Sequence, residues 1–266
     1  MSRKVCGCKF SFMANVMNPL LLTHACTGVL VAPNVVVAPA SCIEEKKVEF
    51  PPVRLGSYNL NSDDVPKEAE VLNTCRRITH KDYQKNNPQK GADIALLILE
   101  SPAVHHAPIS GITSIEECRD PSLNGKGNIT AFGWFMPGRN LSPSIQLQAV
   151  PNLEVVPAKQ CSIAMNHDIP KRAICTVSTA RAAISEWDPG SPILCNDKKL
   201  IGIASYEQMP NSKYLPYVYT HVAEHWDWIQ SLGAGASIDV PDNRTECKAA
   251  QAVHSIALKE NDDREL

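Results

Sequence analysis

Every apolar stretch in this chain is short and ends at a turn residue, and that punctuation constrains the fold more than any other feature. Thr27-Gly-Val-Leu-Val-Ala32 and Val35-Val-Val-Ala38 flank Pro33-Asn34. Two strand-like runs around such a dipeptide read as a hairpin. The series continues through Val53 to Tyr58, Val71 to Ile78, Ile94 to Leu99, Ile129 to Phe132, Leu147 to Val156 and Leu200 to Ala204. That spacing predicts an all-β barrel or sandwich. The clearest helical phasing lies in Val222 to Leu232, where Val222, Trp226 and Ile229 share one face. After it, Gly233-Ala-Gly-Ala236 opens an acidic, apolar-poor segment that reads as a tail.

At 266 residues, 44% apolar and 20% charged, the chain can build a globular core. Its 26 basic and 28 acidic side chains nearly cancel, which gives no electrostatic case for a nucleic acid or an anionic membrane. No apolar run approaches the roughly 18 residues that span a bilayer. The ten cysteines are dispersed: only Cys6 and Cys8 lie close together and no C-x2-C pair exists, which argues against a zinc site. No metal or cofactor is expected. Ten scattered thiols favour an oxidising compartment, and the sequons at Asn128, Asn140 and Asn243 point the same way. Residues 1–24 show no apolar h-region with a cleavage site. Either the sequence begins short of the protein's true start or the chain is cytosolic, and the cysteines favour the former, so we expect a secreted protein.

Three segments carry a family resemblance. Cys26 to Cys42, containing the hairpin above, resembles the first hairpin of chymotrypsin-like serine proteases. Ala92-Asp-Ile-Ala-Leu-Leu-Ile-Leu99 resembles their aspartate strand, and Trp187-Asp-Pro-Gly-Ser-Pro-Ile-Leu-Cys195 their serine loop. Val53-Arg-Leu-Gly-Ser-Tyr58, Ile78-Thr-His-Lys-Asp-Tyr83, Phe132-Gly-Trp134, Gly202-Ile-Ala-Ser205, Val218-Tyr-Thr220 and Trp226-Asp-Trp-Ile229 follow in the family's order. The resemblance implies two six-stranded antiparallel β-barrels closed by a C-terminal helix. It divides the chain into an N-terminal remnant (1–9), a peptidase-like domain (10–232) and a tail (233–266).

The same resemblance implies that the chemistry is lost. The position of the family's histidine is Ser41, the aspartate position keeps Asp93, and the serine position is Pro189. Acyl transfer needs a nucleophile and a base. Proline has no hydroxyl, and a serine is no base near neutral pH. Pro189 also lacks the N–H that would serve the oxyanion site, and Trp187 stands where a glycine would supply the other. The specificity pocket has Ala183 in place of the trypsin-like floor aspartate, with Glu207 and Tyr217 for two wall glycines. Active members pair a freed N-terminal isoleucine amine with the aspartate matched by Asp188, and residues 1–9 hold no such start. Asp188 therefore needs another cation or solvent. Ser191 is the nearest substitute nucleophile. His80, His221 and His225 read as ordinary surface or capping histidines.

The family's disulfides imply Cys26–Cys42 and Cys161–Cys175. Cys195 loses its usual partner near Ile129, and Cys118 is the nearest replacement. The bridge between serine loop and pocket wall would need cysteines near Ser185 and Met209, and both are absent. Cys6, Cys8, Cys75 and Cys247 stay unassigned. The Asp188-Pro-Gly-Ser-Pro-Ile-Leu-Cys195 stretch is similar to arthropod serine protease homologues of the masquerade-like, clip-type group, here without a clip domain. That likeness implies a secreted, non-catalytic protein whose partner is a serine protease or zymogen in an innate-immune or melanisation cascade. A decoy or inhibitor of another enzyme and a residual serine endopeptidase are the alternatives.

Overall fold

A computed structural model describes residues 3–4, 9–45, 50–60, 67–85, 87, 92–120, 127–134, 145–178, 188–205 and 216–232. In chain order the first strands are β1 (Arg3–Lys4), β2 (Met13–Met17), β3 (His24–Ala32), β4 (Val35–Ala38), β5 (Val53–Leu55), β6 (Glu70–Leu72), β7 (Thr74–Thr79) and β8 (Ala95–Leu99). They are followed by β9 (Ile129–Gly133), β10 (Gln148–Val150), β11 (Leu153–Val156), β12 (Ala173–Ser178), β13 (Pro192–Cys195), β14 (Lys199–Ala204) and β15 (Tyr217–His221). Short helices α1 (Ala40–Glu45), α2 (Ile115–Arg119) and α3 (Ala158–Met165) interrupt the strands. A 3-10 turn, Val222–His225, leads into the last helix, α4 (Trp226–Ser231).

Two antiparallel sheets form barrel-like halves in the chymotrypsin-like arrangement. The first runs β6-β5-β2-β3-β4-β8-β7, and the second β1-β10-β9-β13-β14-β15-β12-β11. They hold seven and eight strands rather than the six each expected. Part of the difference is physical: Val71 to Ile78 is two strands, because Asn73 leaves the ladder. Its side chain and backbone N–H both donate to the Glu100 carboxylate. The two-residue β1 adds an edge to the second half.

The hairpin between β3 and β4 forms as its sequence predicts. Pro33 and Asn34 make the turn, and their carbonyls accept from the Ala103 and Leu99 N–H groups at 2.8 and 2.9 Å. All four residues of β4 are buried because the strand is covered on both faces. One apolar cluster joins the halves, running from Val16, Leu30 and Leu97 to Phe132, Leu194, Val222 and Ile229. A second, around Ile174, Ile193, Ile201 and Tyr219, fills the other barrel. Val222 and Ile229 are fully buried, so the predicted apolar face of the C-terminal helix is the one that docks.

Candidate active site

Asp93 sits just ahead of β8 and is 1% exposed. Its carboxylate accepts the Ser41 backbone N–H at 2.7 Å and the Ser41 hydroxyl at 2.9 Å. The Ser205 hydroxyl donates to it from the other half at 2.6 Å, and Thr220 donates to the Asp93 carbonyl at 2.9 Å. The chain can form this junction because Ala40, Ser41 and Cys42 begin α1, whose first turn leaves N–H groups free of intrahelical partners. Ser41 is thereby held by the carboxylate at the position the resemblance gives to a histidine.

Asp188 forms a second buried network. Its Oδ1 lies 3.0 Å from His24 Nε2, while Oδ2 accepts the Thr27 hydroxyl at 2.5 Å and the Trp134 backbone N–H at 2.9 Å. His24 Nδ1 faces the Asn15 side-chain oxygen at 2.7 Å, and its ring meets Trp134 edge-on. Burial alone would raise the Asp188 carboxyl. The His24 charge and the hydrogen bonds from His24, Thr27 and Trp134 overcome that and hold it below its ordinary value. Of the two outcomes left open for Asp188, a cation or solvent, the structure gives a histidine 164 residues away.

The turn between these networks is fixed by its backbone. The Pro189 carbonyl accepts the Thr27 N–H at 2.8 Å, Gly190 N–H donates to the Ala204 carbonyl at 2.9 Å, and Ser191 N–H to the Asp188 carbonyl at 3.0 Å. Gly190 adopts φ +86°, and a Cβ there would run into the Thr27 carbonyl. Ser191 is fully buried and its hydroxyl has no hydrogen-bond partner.

Tyr217 begins β15 and packs, half-buried, on the core of the second half. Trp187, Ala183 and Glu207 lie outside the described residues, as do Asn140, Asn243, Cys6, Cys8 and Cys247. Asn128 is exposed, with its side-chain oxygen accepting the Asn152 N–H at 3.2 Å. Three disulfides join Cys26 to Cys42, Cys118 to Cys195 and Cys161 to Cys175. Cys75 is disulfide-bonded as well.

The histidine reading needs correction. His80, His221 and His225 are 4%, 6% and 2% exposed, so they are not surface groups. Neither His221 nor His225 caps the helical turn it precedes, although His221 reaches the first N–H of α2. His221 Nε2 accepts that Ile115 N–H at 3.3 Å, while His80 and His225 meet each other's rings. Runs such as Tyr217 to His225 gave no sign of this, because burial on both faces erases the alternation that marks a solvent side. His106 bonds the Glu68 carbonyl and His167 the Asp168 carbonyl. Among the described residues no cluster of three or more His, Cys, Asp or Glu side chains is arranged to hold a metal, and no helix is long and apolar enough to cross a membrane.

Comparison with known proteins places this architecture. The chain is 31% identical over 219 residues to anionic trypsin of Canis lupus familiaris, across 80% of this chain and 82% of that one. It is 28% identical to kallikrein-8 of Homo sapiens over 213 residues, covering 78% and 76% of the two. A solved structure of neuropsin, a serine protease expressed in the limbic system of mouse brain, superposes with a TM-score of 0.70 at 23% identity, over 86% of this chain and 97% of that one. The trypsin family model matches residues 7–229, and the chain belongs to the trypsin-like serine protease family.

Proposed function

We propose that this trypsin-family chain works by binding another protein and does not cleave peptide bonds. The observation that carries the reading is Pro189 in the serine position together with Ser41 in the histidine position. Peptide cleavage by this family's route takes a hydroxyl nucleophile and an imidazole to accept its proton. Ser41 donates its proton to Asp93 instead, and Pro189 offers neither hydroxyl nor N–H. The seating of His24, His80, His106, His167, His221 and His225 in other contacts supports the same reading. Loops on a rigid double barrel remain available for recognition when catalysis is gone.

The proposed setting is extracellular, in keeping with the disulfides. The proposed partner is a serine protease or its zymogen, with the chain serving as a cofactor in an innate-immune or melanisation-type cascade. Affinity capture with the full chain from the source's extracellular fluid tests this. The reading expects a serine protease or zymogen to be retained, and expects added chain to change the rate at which it becomes active. Retention of a glycan hydrolase would favour a decoy instead. Cleavage of a peptide library by the purified chain would overturn the binding role.

A further inference from the structure

The cluster formed by His80, His225 and Trp228 has no part in the site above, and it joins the turn after β7 to the C-terminal helix. His80 belongs to the turn after β7, in the first half. Its N–H donates to the Ile94 carbonyl at 3.1 Å, and its Nδ1 accepts the Asp82 N–H at 3.2 Å. His225 ends the 3-10 turn, and Trp228 lies on α4. The His80 ring meets His225 at 4.9 Å and Trp228 at 4.6 Å between centroids, both edge-on. Neither nitrogen of His225 has a hydrogen-bond partner, although the residue is 2% exposed.

We propose that this contact is an acid-sensitive latch, in which protonation of His80 and His225 releases the C-terminal helix from the first barrel while both barrels stay folded. A proton on His80 Nδ1 turns an acceptor into a donor pointing at the Asp82 N–H. A proton on His225 finds no acceptor in the site, and a buried unpaired charge is costly. The surrounding groups do not repair this. The turn after β7 presents Lys81 and Asp82, and the Asp82 carboxylate is 3.9 Å from His80 and largely exposed. Arg172, before β12, acts on both rings with the same sign as the incoming protons. His221, at the end of β15, acts on His225, and Glu116 and Glu224 act chiefly on His221.

Burial first, and then the charges of His80, Arg172 and His221, lower His225 to about 4. Burial also lowers His80. A histidine released from the cluster titrates near 6.5. The latch is therefore fully closed above about 6.5 and is weakened as pH falls toward about 4.

Hydrogen exchange on the full, oxidised chain, expressed as protection relative to intrinsic rates from pH 7 to pH 4.5, tests the proposal. As pH falls below about 6.5, amides of 226–232 should lose protection by about tenfold per pH unit for each ring that takes up a proton on release. Amides of β3, β4 and β8 should keep theirs. His225→Phe or His80→Phe, which fill the site without a titrating group, should keep the helix protected to lower pH. His225→Leu gives the same comparison where a phenylalanine variant does not fold. Constant protection of 226–232 across the range, loss of helix and barrel protection at one pH, or an unshifted transition in the folded variants would each overturn the latch.

Discussion

Replacing Asp93 separates a structural junction from a leftover of catalysis. Asp93→Ala removes the acceptor of three bonds, from the Ser41 N–H at 2.7 Å, the Ser41 hydroxyl at 2.9 Å and the Ser205 hydroxyl at 2.6 Å. Hydrogen bonds to a carboxylate contribute about 1.5–3 kcal/mol each. Water entering the vacated volume restores part of that. The expected net loss is about 3–5 kcal/mol, the summed bonds less what that water restores. Asp93→Asn keeps the volume and an oxygen toward the Ser41 N–H. The two hydroxyls can rotate to accept from the new amide, so the cost should fall to about 1–2 kcal/mol. Urea unfolding of the full oxidised chain, followed by tryptophan fluorescence, reads the difference. With a slope of about 2 kcal/mol per M, the midpoint should drop by about 1.5–2.5 M for alanine and by under about 1 M for asparagine. An alanine variant within about 0.3 M of wild type, or an asparagine variant as damaged as alanine, would refute the assignment.

Three further outcomes follow from the same geometry. Loop length ranks the disulfides: with a separation of 77 residues, Cys118–Cys195 should stabilise by about 4.5 kcal/mol, against about 3 kcal/mol for Cys26–Cys42 at 16 and Cys161–Cys175 at 14, which paired Cys→Ser variants in denaturant can rank. Gly190→Ala should cost more than Gly28→Ala, since only the former adds a left-handed backbone penalty to a clash with a backbone carbonyl, and thermal midpoints will show the order. Asp188 has its folded value lowered, so its contribution is present above the unfolded carboxyl range near 3.9 and is lost as pH falls through the folded value; His24→Gln should shrink that acid-side loss in a stability-versus-pH series.

How far the sequence could be read depended on what each residue faces. The hairpin at Pro33-Asn34 and the helix through Trp226 and Ile229 were legible because local turn chemistry and a one-sided apolar face fix them. Leu147 to Val156 reads as one apolar stretch, yet Pro151-Asn152 divides it and Asn152 takes φ +59°. Proline marks that break, but the β-branched residues on each side mask it. Helices α1 and α3 carry little amphipathic pattern of their own and are set by tertiary packing. The pairing of Asp188 with His24, and of Asp93 with Ser205, spans 164 and 112 residues. No local periodicity encodes such contacts. For the same reason His80 and His225 looked like surface residues although the folded chain brings their rings together.

The central claim is that the chain has no working nucleophile, and covalent labelling addresses it most directly. The full-length oxidised chain, incubated with a fluorophosphonate probe beside active trypsin as the positive control and weighed intact by mass spectrometry, should show no adduct while the control is fully labelled. An adduct on Ser41, Ser191 or any other serine of the folded chain would contradict the account.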